Sequence, residues 1–161
     1  MSPKGQKSDS QTSGELQLAH QDARMANDRL ANEIQLFCRG NEVELCILFG
    51  SQARGALRAA SDIDIALQFP LGYKPSKLQL IHELEMIFMP KMVDLVLLNA
   101  ETDPLLLHEI FAYGKLLFER SEGLFAKAKL RAWHLYLDTA PLRRKEREFI
   151  RKNFKDRADV P

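Results

Sequence analysis

The chain has 161 residues, of which 45% are hydrophobic, and this size and composition fit one domain with a sizeable core. Twenty-three basic against 22 acidic residues give a formal charge of +1, which excludes a bulk electrostatic attraction to nucleic acid or to a membrane surface. No apolar run approaches the roughly 18 residues of a membrane span, and the N-terminus is polar. We therefore expect a cytoplasmic protein that contacts no membrane and does not bind nucleic acid through its overall charge, so that any basic surface for a partner must be local.

The first elements in chain order are a tail and a helix. Residues 1–14 contain no large apolar residue beyond the initiator Met, so they cannot bury enough surface to offset their ordering entropy. We expect a disordered tail there. From residue 15, apolar residues recur at spacings of three and four, and Gly40 follows as a stop signal. This pattern predicts a helix that covers a sheet and begins a domain over residues 15–138.

The next stretch, LCILFGSQARGALRAASDIDIAL at residues 45–67, reads as a strand, a turn, a short helix and a second strand. Gly50 and Ser51 stand where the first strand runs into the helix, and free backbone N–H groups at a helix N-terminus are a ready anion site. Glycine lets a phosphate approach the backbone, and serine adds a hydroxyl donor. Arg54 opposes the helix macrodipole, which indicates that its partner is an anion such as a triphosphate or the downstream aspartates.

Acidic residues mark two of the predicted strands. Asp62 and Asp64 alternate with apolar residues, so their side chains share one face of a strand about 6.6 Å apart. Two carboxylates on one face repel each other, and Mg²⁺ is the usual compensation because it takes oxygen ligands from one or two carboxylates, water and substrate phosphates. Asp94 is the single acid of a third apolar strand near 92–98, and it joins the pair if the two strands are neighbours. Three carboxylates suffice for two metal ions about 3.5–4 Å apart.

The later elements follow from caps and periodicity. Ser76 predicts a helix to about residue 88, and Asp103 followed by proline is an N-cap for a short helix. A last strand is predicted near 115–118 and a helix over 121–137, after which Pro141 interrupts the pattern. Residues 139–161 form the one clearly basic segment. Tracking of RNA phosphates stays open for this segment, and contact with an acidic groove of a partner is weakly favoured.

Several other side chains are interpreted as structural. The four histidines share no spacing that indicates a metal site or a catalytic pair. Cys38 and Cys46 lie in apolar surroundings, so free buried thiols explain them better than a disulfide or a metal site. Trp133 and Tyr136 are expected on the buried or partner-facing side of the last long helix, and core packing is favoured over base stacking.

The motifs together resemble a known superfamily. Gly50-Ser51, ten intervening residues and then Asp62-Ile63-Asp64 resemble the signature of the nucleotidyltransferases related to DNA polymerase beta. The string GSQARGALRAASDIDIAL looks like the minimal nucleotidyltransferase (MNT) branch, and the likeness covers about residues 42–137. The resemblance implies an α/β fold with a small mixed sheet covered by helices. It also implies site residues in two groups, a nucleotide-binding set of Gly50, Ser51 and Arg54 and a catalytic, metal-binding set of Asp62, Asp64 and Asp94.

The same resemblance implies a partner and a reaction. Many members of the MNT branch are antitoxins encoded beside a HEPN-domain ribonuclease, and those with intact acids use ATP to adenylylate a tyrosine of that toxin. We therefore expect transfer of AMP from ATP to a HEPN toxin, with two Mg²⁺ ions and within a hetero-oligomer. Two alternatives stay open: a non-catalytic antitoxin that neutralises the toxin by direct binding, and a small-molecule enzyme like the related aminoglycoside nucleotidyltransferases.

Overall fold

The computed structural model describes residues 9–53 and 62–158, and over these residues it shows four strands and six helices. The strands are β1 (Leu45–Phe49), β2 (Ile63–Gln68), β3 (Val93–Leu98) and β4 (Lys115–Glu119). The helices are α1 (Asp9–Gly40), α2 (Gly50–Ala53), α3 (Lys77–Phe88), α4 (Pro104–Tyr113), α5 (Leu124–Asp138) and α6 (Ala140–Ala158). None of the described helices is long and apolar enough to cross a membrane.

The four strands form one mixed sheet in the order β3–β2–β1–β4. The pair β2–β3 is parallel, whereas β1 is antiparallel to both β2 and β4. The predicted α/β fold with a mixed sheet is confirmed. The predicted strands, near 43–49, 62–68, 92–98 and 115–118, agree with the observed ones to within two residues at either end. In this order β2, the strand with alternating acids, lies in the interior of the sheet between β1 and β3.

Two separate cores cover the two faces of the sheet. On one face, α1 and α3 pack over Ile63 and Ile65, which are buried. On the other face, α4 and α5 pack over a core that includes Ala66 and Ala132. Because side chains alternate along a strand, Asp64 projects to the same face as Ala66. The acidic residue therefore occupies the uncovered end of a face whose remainder is packed by α4 and α5.

Helix α1 begins at Asp9, six residues before the predicted start at residue 15. Residues 9–14, predicted as part of a disordered tail, are helical, and residues 1–8 of that tail lie outside the described residues. Adding a residue to an existing helix costs far less than nucleating a new one. A strongly periodic segment can therefore extend a helix into a polar flank that would not form one alone.

The predicted helix boundaries have the expected caps. The hydroxyl of Ser76 accepts a hydrogen bond from the backbone N–H of Gln79 at 3.4 Å. The carboxylate of Asp103 accepts from two backbone N–H groups in the first turn of α4 at 2.9 and 3.0 Å. The predicted interruption near Pro141 is also present, because α5 and α6 are separate helices. Most of the basic C-terminal segment is consequently the helix α6.

The C-terminal end of α1 is tied to the sheet by Arg120. Its Nε donates to the carbonyl oxygen of Val43 at 2.9 Å, and its guanidinium also donates to that of Cys38 at 3.2 Å. Cys38 and Cys46 are free and buried, as predicted. A hydrogen bond with Cys38, together with burial, raises the pKa of the Cys46 thiol well above its ordinary value. Both thiols therefore belong to the core, and Cys46 is held there as a neutral thiol.

The predicted core packing of Trp133 is wrong. Its side chain is 48% exposed, whereas Ala132 is buried and Tyr136 is half-buried. Successive residues of a helix are rotated by about 100°, so the residue after a buried one lies at the side of the helix. Trp133 consequently lies at the surface, where it contacts the ring of His108 at a centroid distance of 5.4 Å.

Candidate active site

The acidic residues lie at one end of the strands, where β1 ends and where β2 and β3 begin. We call this end of the sheet, with Asp62, Asp64 and Asp94, the acidic edge. Phe49 pairs with Asp64 across the antiparallel strands, and Asp64 pairs with Asp94 across the parallel strands. Paired residues on neighbouring strands project to the same face, at a strand spacing of about 4.8 Å. Asp62 lies one residue before β2. The structure therefore brings the three sequence-predicted acids to one edge.

The electrostatics of this edge are repulsive. Asp64 is partly buried, whereas Asp62 and Asp94 are exposed. Burial raises the pKa of the Asp64 carboxyl above its ordinary value, and the negative charges of Asp94 and Asp62 raise it further. Within residues 9–53 and 62–158, no lysine or arginine forms a salt bridge with any of the three acids. A cation between the carboxylates would relieve this repulsion.

Gly50 is in direct contact with this cluster. Its φ is +71°, a conformation that side chains disfavour, and a Cβ at this position would lie 2.0 Å from Oδ2 of Asp64. The sequence predicts glycine here because a phosphate approaches the backbone. The observed contact adds a different reason, since only glycine leaves room for the carboxylate of Asp64.

Gln52 is a contact that the sequence pattern did not indicate. Its side-chain amide donates to the backbone carbonyl of Asp62 at 3.3 Å, which ties the turn after β1 to the start of β2. A hydrogen bond to a backbone carbonyl leaves no signature in the sequence, because any residue offers that acceptor. Ser51 is exposed in the single turn of α2. Arg54 lies outside the described residues, so its role stays a prediction.

The side chains at this edge match the ligand chemistry of Mg²⁺. In the described part of the chain, no three His, Cys, Asp or Glu side chains converge as a preformed metal cage. Mg²⁺ does not need one, because it binds through one or two carboxylates and completes its shell with water and substrate phosphates. Asp64 and Asp94 offer two carboxylates side by side. The donors therefore fit a magnesium ion that arrives with a nucleotide.

A comparison with known families decides which fold this site belongs to. The family model described as polymerase beta, nucleotidyltransferase matches residues 32–123, which is more than half of the chain. The chain belongs to the polymerase beta nucleotidyltransferase family. The match includes all four strands and the acidic edge, so the predicted superfamily is confirmed. In this nucleotidyltransferase, α5 and α6 lie beyond the matched residues.

Solved structures share the fold of this nucleotidyltransferase. A crystal structure of a toxin–antitoxin with AMP-PNP aligns with a TM-score of 0.64 and 23% identity, over 74% of this chain and 97% of that chain. A tri-AMPylated Shewanella oneidensis HEPN toxin in complex with MNT antitoxin aligns with a TM-score of 0.60 and 21% identity, over 76% and 97%. The crystal structure of the toxin–antitoxin MntA-HepT gives the same values. A search of curated protein sequences finds no match.

Proposed function

We propose that this chain is an antitoxin that transfers AMP from ATP to a tyrosine hydroxyl of a cognate HEPN ribonuclease toxin. The observation that carries the proposal is the pairing of Asp64 with Asp94 beside the Gly50 turn, inside the family match. Structures of the same fold support the choice of nucleotide and acceptor, since one is a toxin–antitoxin with AMP-PNP and another contains a tri-AMPylated HEPN toxin. Two free buried thiols fit a location in the reducing cytoplasm, where the chain would form a hetero-oligomer with that toxin.

The nucleotide is held by the turn after β1. In this proposal the backbone of Gly50 and the hydroxyl of Ser51 donate hydrogen bonds to phosphate oxygens, and Arg54 adds a charged donor. Ser51 is exposed, so its hydroxyl is accessible to a ligand. Because Gly50 also contacts Asp64, phosphates bound at Gly50 would lie next to the carboxylates.

The acids supply the chemistry of the transfer. Asp62, Asp64 and Asp94 would hold Mg²⁺, and the bound metal would lower the pKa of the attacking hydroxyl and neutralise charge on the leaving pyrophosphate. Asp94 accepts the proton of the acceptor hydroxyl, whose oxygen then bonds to the α-phosphorus as the bond to pyrophosphate breaks. Asp94 suits this role because it is exposed at the outer side of Asp64.

The direct test incubates the purified chain with Mg²⁺, ATP and a HEPN toxin encoded beside it. We expect the intact mass of the toxin to rise by whole adenylyl groups while its ribonuclease activity falls. Asp64→Asn should add none, whereas Asp28→Asn removes an exposed carboxylate of α1 and should transfer as the wild type does. Neutralisation without any gain in mass would refute transfer and identify a binding antitoxin.

A second variant separates nucleotide binding from chemistry. Because Asp62 and Asp64 would still hold the Mg²⁺ that arrives with the nucleotide, Asp94→Asn should retain Mg²⁺-ATP binding in calorimetry. It should lose the transfer rate by at least about 100-fold, the usual contribution of a general base. If the variant transfers at the wild-type rate, Asp94 is not the proton acceptor.

A further inference from the structure

Helix α5 carries a second apolar stripe on the side that faces away from the core. Leu130, Trp133 and Leu137 recur at i, i+3 and i+7, a spacing that places them on one side of a helix. They are 57%, 48% and 50% exposed, respectively. The stripe that packs on the sheet is formed by other residues, among them Ala128 and Ala132. The outer stripe is therefore uncovered in the part of the chain that the structure describes.

The outer stripe borders an apolar groove between α4 and α5. The groove has a volume of about 300 Å³, and its walls include His108 and Phe111 of α4 and Leu130 and Trp133 of α5. The ring of His108 stacks on Tyr136 at a centroid distance of 4.0 Å and lies 5.4 Å from that of Trp133. Because these rings pack against one another, a partner side chain that enters the groove would contact side chains that are already fixed in position.

This surface reaches the acidic edge of the sheet. Tyr113 is the last residue of α4, is 54% exposed, and packs edge-on to His108 at 6.1 Å. The next strand begins at Lys115, which pairs with Leu48, one residue before the partner of Asp64. A molecule bound along α4 and α5 would consequently have one end next to the carboxylates.

The basic helix α6 extends this surface beyond the aromatic cluster of α4 and α5. Helix α6 contains eight basic and three acidic residues, a net charge of +5, whereas the whole chain carries +1. The guanidinium of Arg143 lies over the ring of Tyr136 at 3.9 Å, so the basic helix adjoins the aromatic cluster. Leu142 and Phe149 of α6 are 66% and 69% exposed. The complementary surface is therefore apolar with carboxylates at its margin.

The aliphatic content of this surface favours a protein over a nucleic acid. Nucleic acids bind through phosphate contacts and base stacking on aromatic rings, to which Leu130, Leu137 and Leu142 contribute nothing. Protein interfaces combine a hydrophobic centre rich in Trp, Tyr and Arg with a charged rim, as found here. The family match ends at residue 123, so α5 and α6 lie beyond the matched domain, whereas the α4 wall of the groove lies within it.

We propose that the α4–α5 groove, the outer stripe of α5 and the basic side of α6 form the docking surface for the acceptor protein. The acceptor presents apolar anchor side chains flanked by carboxylates and delivers its hydroxyl to the acidic edge. This inference rests on the proposed function, because it assigns the surface to the acceptor of that reaction. The aromatic centre supplies affinity, and α6 supplies salt-dependent attraction to an acidic partner.

The test measures the dissociation constant of the complex between the full chain and the HEPN toxin by calorimetry. Trp133→Ala should weaken the complex at least about tenfold, as expected for a central aromatic anchor. Leu130→Asp should weaken it as well, whereas Leu36→Asp, at a leucine of α1 that is even more exposed, should not. Replacing both Arg147 and Arg151 with glutamate should flatten the dependence of affinity on salt. Circular dichroism establishes that each variant is folded.

The outcomes separate this inference from the proposed function. The proposed docking surface is overturned if Trp133→Ala binds the toxin as tightly as the wild type does. It is also overturned if Leu36→Asp loses as much affinity as Leu130→Asp. If the free chain is a dimer and Leu130→Asp makes it a monomer, the groove binds a second copy of the chain, and this result also overturns the proposed docking surface. If Trp133→Ala weakens the complex but no adenylyl group is ever transferred, the docking surface stands and the transferase proposal fails.

Discussion

Replacing Gly50 with alanine tests the contact between the turn after β1 and the acidic cluster. The added Cβ would lie 2.0 Å from Oδ2 and 2.7 Å from Cγ of Asp64. Ordinary contacts begin at 3.4 Å, so the carboxylate or the turn must move by about 1.4 Å. The φ of +71° adds a second penalty, because the left-handed conformation costs a residue with a side chain roughly 1–2 kcal/mol.

Both penalties have a measurable size. Forcing an extra carbon into a packed position costs about 1–3 kcal/mol, so with the backbone strain the free energy of unfolding should fall by about 2–5 kcal/mol in urea titrations. The rate of AMP transfer should fall by about 100-fold, since a misplacement of roughly 1 Å has that effect on catalysis. Initial rates of labelled AMP incorporation at saturating ATP measure this loss.

Two comparisons isolate the contact from the strain. Gly72 has a φ of +85°, and a Cβ added there would have no atom within 4 Å, so Gly72→Ala should show the backbone strain alone and leave transfer intact. In an Asp64→Ala background the clashing Oδ2 and Cγ are gone, so Gly50→Ala should cost at least about 1 kcal/mol less there. The reasoning is refuted if Gly50→Ala costs no more than Gly72→Ala, or if the two changes at the site are additive.

Three further changes test other parts of the molecule. Asp64→Asn should raise the midpoint of thermal unfolding at pH 7 without Mg²⁺, because the raised pKa of Asp64 means that the folded state disfavours its ionised form. This gain should shrink as the pH falls through that raised pKa and vanish below the ordinary value of 3.8, and a lower midpoint at pH 7 contradicts it. Arg120→Met removes the donors to two backbone carbonyls and should lower the free energy of unfolding by about 2 kcal/mol in urea, whereas an unchanged value means that water replaces both bonds. Asp103→Ala removes the N-cap of α4 and should cost about 1 kcal/mol in the same titration, and a cost near zero shows that the helix end is solvated equally well without it.

The local elements of the site could be predicted from the sequence, but their assembly could not. The alternation around Asp64 identifies β2, and the single acid in an apolar run identifies β3, because both patterns are confined to a few residues. The placement of Asp94 beside Asp64 depends instead on the register of two parallel strands. That register is decided by the packing of apolar side chains on both faces of the sheet.

Trp133 shows a different limit of sequence reasoning. Apolar residues occupy two sides of α5, and periodicity alone does not tell which side meets the sheet. The small residues Ala128 and Ala132 pack inward, and Trp133 remains outside. The contact of Gly50 with Asp64 could not be predicted for a related reason, since a close approach between distant residues leaves no local pattern.

The order of the elements along the chain divides the molecule into two consecutive parts. The acidic edge is built from β1 to β3, residues 45–98, whereas α4, α5 and α6 with the proposed docking surface follow from residue 104. A single recombination point within residues 99–103 would therefore exchange acceptor choice without touching the chemistry. Such a chimera must keep β4 and Arg120, because β4 pairs with β1 and Arg120 donates to backbone carbonyls of the first part. It must also keep the buried side of α4, because Ile110 and Phe111 pack with Ile47 of β1. New partners could thus be acquired by replacing one end of the gene.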